Sequence, residues 1–298
     1  MSTTPPQDPS LETPSRVRAF YELTKPGIAG YVMVTAAASA YVGSEGTLGL
    51  ATAIHTIVGT GLATGGALSL NQYVERDFDA IMLRTRGRPI PSARVTPMEA
   101  LAFGAVLLMG GLVYLAAMVG ALPAALAAAS AIIYHGVYTP LKLRSYAATL
   151  AGSVPGALPM LIGWTAATGT IDPGGVALFA IGYLWQLPHV LGLAWMLRED
   201  YARVGFKLIP DGGARSIGLQ MVAATGLLVP VSWTPTLLGL TGTVYLVGAT
   251  LLGLAFLWRA MGAFRNMTDA AARRVFFTSL LYHPLLMSLM VFDTIRIQ

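Results

Sequence analysis

The chain has 298 residues, 55% apolar and 11% charged, with a formal net charge of +5. A mean hydropathy of +0.63 excludes a soluble globular protein, and the lack of any cysteine excludes disulfide scaffolds, thiolate metal centres and cysteine nucleophiles. The pI of 9.6 does not indicate nucleic acid, because the basic residues are scattered between apolar segments, as in a membrane topology signal.

Residues 1–20 are rich in Pro, Ser and Thr and include Asp8 and Glu12, which predicts a disordered tail rather than a signal or transit peptide. Apolar segments follow at 26–44, 49–74, 97–119, 121–140, 147–168, 173–197, 216–233, 238–260 and 274–294. Each is close to the roughly 20 residues a membrane-crossing helix needs. The expected fold is therefore all-α: a polytopic membrane protein with nine transmembrane helices, forming one domain over 21–298. All of the 19 basic residues except Arg296 fall before the first segment or in alternate connections. Since basic residues stay on the cytoplasmic side, the N-terminus and the two long charged connections, near 75–96 and 198–215, are expected there. The expected location is a bacterial cytoplasmic (inner) membrane. Gly61-x-x-x-Gly65 and Gly152-x-x-x-Gly156 are read as helix-packing signals.

The second segment ends in Asn71-Gln-Tyr-Val-Glu75-Arg-Asp77-Phe-Asp79, followed by Arg84-Thr-Arg86-Gly-Arg88-Pro89. Asn71, Glu75 and Asp79 are four apart and form one oxygen-bearing stripe if the helix continues. Like carboxylates at a membrane-facing helix end are costly unless neutralised. Either Mg²⁺, which takes one or two carboxylates and shares substrate phosphates, or pairing with Arg76, Arg84 or Arg88 would do so. The sixth segment ends in Trp185-Gln186-Leu-Pro188-His189 and, after Arg198, Glu199-Asp200-Tyr201. On an unbroken helix His189 and Asp200 share a face, with His189 about 16 Å deeper. That predicts a charged mouth with an imidazole inside, although Pro188 could kink the helix and His189 could instead be a packed core histidine. His55, His135 and His283 are read as packing residues.

Two acid clusters closing the second and sixth of nine helices, each trailed by bases, resemble the UbiA-type intramembrane prenyltransferases. Leu23-Thr24-Lys25-Pro26, the Asn71 to Pro89 run, Tyr138-Thr139-x-Leu141-Lys142, Gly156-Ala157-x-Pro159, Trp185-Gln186-x-Pro188-His189 and Glu199-Asp200-Tyr201 are similar to the protohaem IX farnesyltransferase branch of that superfamily. Two departures stand out: Glu75 occupies a position usually filled by Asp, and Leu143 separates Lys142 from Arg144.

The resemblance implies a bundle around a central cavity open to the cytoplasmic side. It implies farnesyl diphosphate as donor, haem B as acceptor, Mg²⁺ as cofactor, and haem O as product. It assigns Asn71, Glu75, Asp79 and Asp200 to the metal, with Glu199 completing the catalytic acids. Lys25, Arg84, Arg88, Lys142 and Lys207 become diphosphate contacts, and His189 the haem contact. Partners would be the lipid bilayer and a downstream haem-modifying enzyme or oxidase assembly factor, not nucleic acid. Alternatives are a UbiA-type enzyme with an aromatic acceptor, a secondary transporter and a structural haem-binding subunit.

Overall fold

The computed structural model describes residues 15–294; the expected tail over 1–14 and Arg296 lie outside them. Residues 16–20, expected in the tail, begin an amphipathic helix, α1 (Arg16–Leu23), capped by the Ser15 hydroxyl. Its buried Ala19 and Leu23 join Ile90, Val95 and Ala100. The Pro and Ser content that suggested a tail thus ends at residue 15.

In chain order there follow α2 (Pro26–Gly43), α3 (Leu50–Val74), α4 (Arg76–Ile81), α5 (Pro97–Met118), α6 (Ala121–Ile132), a π turn (Ile133–Tyr138), α7 (Thr139–Leu141), α8 (Ala147–Thr168), α9 (Pro173–Met196), α10 (Arg198–Arg203), α11 (Gly213–Val231), α12 (Thr234–Leu237), α13 (Thr243–Arg265) and α14 (Asp269–Phe292). Starts are set by residues that accept from free helical N–H groups. Thr96 and Glu99 form a capping box on α5, Asp172 accepts from the Gly174 and Gly175 amides on α9, and Thr268 caps α14.

Among the described residues, 8 helical stretches are long and apolar enough to cross a membrane. The nine-span expectation is corrected at α2, which has 18 residues but is not one of the eight. Its hydropathy is diluted by small and polar residues that serve close packing against α8. The Ser39 hydroxyl donates to the Met160 carbonyl at 2.6 Å, and a Cβ on Gly163 would sit 1.9 Å from the Ala36 carbonyl oxygen. The last two segments also start or end elsewhere than expected. α13 runs on to Arg265 and α14 starts at Asp269, because arginine is a good helix former and Thr268 supplies the cap.

The bundle has two unlike halves. α2, α3, α5, α6 and α8 pack around one another, and α9, α11, α13 and α14 form the other group, joined to the first mainly through α8 against α9. Close backbone approach marks the first half: a Cβ on Gly66 would meet the Leu108 nitrogen at 2.3 Å. The second half is filled by large side chains, including Tyr245, Phe256, Tyr282, Met221 and Leu228, with the Tyr282 hydroxyl bonded to Ser232 at 2.9 Å.

Candidate active site

The first half encloses a cavity lined by α2, α3, α6, the π turn, α8 and α9, with about 1270 Å³ of empty space including its opening. On α3 the lining runs Thr60, Ala63, Thr64, Ala67 and Leu68, one helical face of small residues. Asn71 follows at the mouth, so the cavity reaches about 16 Å below it, eleven residues at 1.5 Å each. Ala127, Pro159 and Ile162 line the deep end, and Tyr134, Tyr138 and Tyr201 the mouth.

The predicted oxygen stripe survives a local break. α3 stops at Val74 and Glu75 is its C-cap. Yet the Glu75 amide still donates to the Asn71 carbonyl at 2.9 Å and the Asp79 amide to the Glu75 carbonyl at 2.8 Å, so the three stay in register. All are buried: Asn71 is 2% exposed, Glu75 5% and Asp79 0%. Each is met by a base from a different element. Lys25 Nζ donates to Asn71 Oδ1 at 3.1 Å, Lys142 Nζ to Glu75 Oε1 at 2.5 Å, and Arg88 Nη1 to both Asp79 oxygens at 2.7 and 2.6 Å.

These contacts set the charge states. Burial would raise the Glu75 carboxyl, but the Lys142 ammonium outweighs it and holds Glu75 below the ordinary carboxylate range. Burial alone would lower Lys142; its ring and carboxylate neighbours, Tyr138 and Glu75 foremost, raise it instead. Lys25 lacks such compensation. Burial, with the like charge of Arg88, brings it down to about 7.

Asp200 joins the second acid cluster to the first. Its Oδ1 accepts from the Leu83 amide and its Oδ2 from the Arg84 amide, both at 3.2 Å, and Arg203 Nε lies 3.7 Å away. Asp200 therefore clasps the chain just after Asp79, and the two clusters share one end of the bundle. The Lys207 amide donates to the Lys142 carbonyl at 2.6 Å, and the Phe78 and Phe206 rings lie 5.3 Å apart, which ties the α10 region to the same mouth. The side chains of Arg84, Glu199 and Lys207 are exposed; they stand around the mouth rather than in it.

His189 is placed differently from the expectation. The helix breaks at Leu197, φ −105° and ψ 14°, so the angular relation to Asp200 does not carry across. From α9 the cavity is lined by Gln186, Val190, Leu193 and Ala194, not His189. The His189 ring faces α14, with Nδ1 2.8 Å from Ser279 Oγ, stacked on Phe276 at 4.7 Å and Trp185 at 5.4 Å. Pro188 lies inside an unbroken α9 and leaves the break to Leu197.

Sequence reasoning assigned no role to Tyr134, Thr60 or Gln186. The α3 face at Thr60, Ala63, Thr64 and Ala67 was readable from its spacing. The π turn was not: it puts the Tyr134 and Tyr138 rings 5.4 Å apart in a stack, with Lys142 Nζ 4.4 Å from the Tyr138 ring centre. The Gln186 amide shows why Gly156 is glycine, since a Cβ there would lie 2.0 Å from Gln186 Oε1. Gly152 likewise makes room for the Tyr138 ring, 2.7 Å from its Cβ position.

The donor set tests whether a hard cation fits. An amide oxygen and three carboxylates are the ligands Mg²⁺ prefers. Among the described residues no group of three or more acidic, His or Cys side chains is drawn together as a metal cage. Instead Lys25, Arg88 and Lys142 balance Glu75, Asp79 and Asp200 in charge. A diphosphate entering this balanced mouth brings uncompensated negative charge, and a divalent cation shared between its oxygens and these carboxylates is what neutralises it. The residues fit the ion on those terms.

Comparison with known proteins fits this geometry. The model of the UbiA prenyltransferase family matches residues 32–281. A protoheme IX farnesyltransferase of Solibacter usitatus is 42% identical over 288 residues, covering 93% of this chain and 99% of the relative. That of Salinibacter ruber is 43% identical over 273 residues, covering 91% and 96%. Among solved structures, a digeranylgeranylglyceryl phosphate synthase superposes with a TM-score of 0.79 at 16% identity, over 94% of this chain and 99% of that one. A UbiA homolog from Archaeoglobus fulgidus, bound to GPP and Mg2+, gives 0.64 at 14% identity, over 91% and 99%.

Proposed function

The chain belongs to the UbiA prenyltransferase family, a multi-pass membrane family, and from that premise we propose that it transfers the farnesyl group of farnesyl diphosphate to a vinyl group of haem B, with addition of water, to give haem O and diphosphate. The observation that carries the reading is the joining of a balanced acid–base mouth to an apolar shaft about 16 Å deep, which matches a diphosphate head on an extended prenyl chain. The names of the bacterial relatives support haem as the acceptor, over the aromatic acceptor of other branches.

The head group lies at the mouth. Asn71, Glu75, Asp79 and Asp200 hold Mg²⁺, with Glu199 at the rim. Magnesium, when bound, stabilises the charge that develops on the departing diphosphate. Lys25, Arg88 and Lys142 turn toward phosphate oxygens as the ion takes over their carboxylate partners, and Arg84 and Lys207 close in from the rim. As the carbon–oxygen bond at farnesyl C1 breaks, the electron pair leaves with diphosphate. The allylic cation is left beside the Tyr134 and Tyr138 rings, whose faces attract it.

The vinyl π electrons of haem B then form the carbon–carbon bond. The new cation on the vinyl carbon next to the porphyrin takes the oxygen of one water, which loses a proton and leaves a hydroxyl. The apolar shaft keeps other water from quenching the allylic cation first.

His189 remains the candidate haem contact from the α14 side, where its ring is set among Trp185, Phe276 and Ser279. The N-terminus and the mouth face the cytoplasm of a bacterial inner membrane, by the charge pattern. The product, anchored by its new chain, passes through the bilayer to a downstream haem-modifying enzyme.

Mass spectrometry of haem after incubation of the purified protein with Mg²⁺, haem B and farnesyl diphosphate tests the reading. A hydroxyethylfarnesyl adduct that forms only with all three is the expected result. Unchanged haem, alongside prenylation of an aromatic acceptor in extracts, overturns the acceptor assignment.

A further inference from the structure

The arginines between the last two apolar segments take no part in the mouth. Arg259 of α13 and Arg273 and Arg274 of α14 converge on a groove shared with Ala270, Phe277, Thr278 and Leu281, with about 760 Å³ of empty space including its open side. All three arginines are exposed, and none forms a salt bridge with an acid among the described residues. Arg259 only overlies the neighbouring Trp258 ring, at 4.8 Å. The nearest acid along the chain, Asp269, is committed elsewhere: it accepts from Arg198 Nη1 at 2.6 Å and from Trp195 Nε1 at 3.0 Å. That pair also fixes the level of the groove, because it joins the start of α14 to α10 at the charged end of the bundle.

The surroundings of these cations are apolar. Trp258 is 62% exposed, Phe277 54% and Leu281 65%, so the groove opens on the outer, lipid-facing surface. Arg259 is six residues from the end of α13 and Arg274 five from the start of α14, so both stand about 8 to 9 Å inside the helix ends. Three unpaired guanidiniums at that depth, beside acyl chains, are costly without an anion. Guanidinium forks match phosphate oxygens in pairs, the Thr278 hydroxyl adds a donor, and Phe277 and Leu281 continue from the basic end as an apolar wall. Topology alone would call for basic residues in the connection, but not for a groove with the wall below and no acid within it.

We propose that this groove binds an anionic phospholipid, with its phosphate held by Arg259, Arg273 and Arg274 and its acyl chains lying along Phe277 and Leu281. The ligand is recognised as a phosphodiester that carries hydrocarbon; inorganic phosphate supplies the oxygens but not the chains.

Native mass spectrometry and thermal unfolding of the full chain, taken from neutral detergent into phosphatidylcholine and titrated with phosphatidylglycerol, test the proposal. The expected result is saturable phosphatidylglycerol binding that raises the unfolding temperature, at least tenfold weaker in the variant Arg259→Gln/Arg273→Gln/Arg274→Gln, with phosphatidylcholine binding unchanged. If the triple variant does not fold, single Arg273→Gln and Arg273→Lys variants give the same reading: Gln weakens binding severalfold, and Lys, which keeps charge but loses the fork, falls between. Phosphatidylglycerol binding within twofold of wild type in the folded variants overturns the proposal. So does equal protection by millimolar inorganic phosphate, which would make this a phosphate site, or displacement of the lipid by haem B, whose carboxylates would then be the natural occupants.

Discussion

The two halves of the bundle solve opposite problems with the same material. α2, α3, α6 and α8 bring Gly, Ala, Thr and Ser to their facing sides, so their backbones approach closely and leave a shaft between them. α9, α11, α13 and α14 bring Tyr, Phe, Met and Leu and leave none. With little hydrophobic drive between helices in lipid, packing and hydrogen bonds hold both halves. The hollow half gives up contact area to make room for a substrate, and the filled half serves as the wall it is built against. α9 belongs to both, with Val190 and Leu193 on the shaft and Trp185 bonded through Nε1 to the Ser279 carbonyl at 2.7 Å.

Substitutions in the two halves should therefore fail differently. The largest effect is expected from Asp79→Asn at the mouth, which keeps an acceptor for Arg88 but removes a metal-ligand charge. Turnover should fall by about a thousandfold, on the scale of losing a group that stabilises developing charge, with the thermal unfolding curve shifted by only a few degrees. Near-normal haem O formation by the purified variant at saturating magnesium would take Asp79 out of the site. Chelation of magnesium should likewise stop turnover and leave the unfolding temperature nearly unchanged.

Phe256→Ala in the filled half should do the reverse. A buried ring removed from a packed core costs about 3 to 5 kcal/mol, to be read from unfolding, while turnover per folded molecule stays within twofold. Equal damage to both quantities would show that the filled half shapes the site.

Ala127→Leu, at the deep end of the shaft, should discriminate against long chains. A few methylene groups of lost space are worth roughly tenfold in kcat/KM for farnesyl relative to geranyl diphosphate, measured by competition between the donors. An unchanged ratio would mean the chain does not reach Ala127. The smallest effect is expected at the border of the halves: His189→Ala should weaken haem binding severalfold and farnesyl diphosphate binding hardly at all, in parallel titrations. Equal loss of both would make His189 a packing residue.

The segments and the charged end were legible because hydrophobic length and basic residues follow from the bilayer itself. The oxygen stripe was legible because the helical period survives the cap at Glu75. What could not be read depends on other elements. The bases that meet Asn71 and Glu75 come from α2 and from the residue after α7, and the partners of Asp200 are backbone amides, which leave no mark in a side-chain pattern. The direction of His189 was misjudged because one helical wheel was carried through Leu197, where the helix breaks. Arg273 and Arg274 were read as connection because charge at a membrane boundary looks the same whether or not the helix continues.

The π turn at Ile133–Tyr138 has a consequence for how this chain can vary. Such a turn holds an extra residue over a regular helix. Deleting one residue would let the segment relax into ordinary helix, while everything after it turned by about 100°. Lys142 would then swing away from Glu75 although neither had been altered. Related chains should tolerate changes of residue type here far more readily than changes of length.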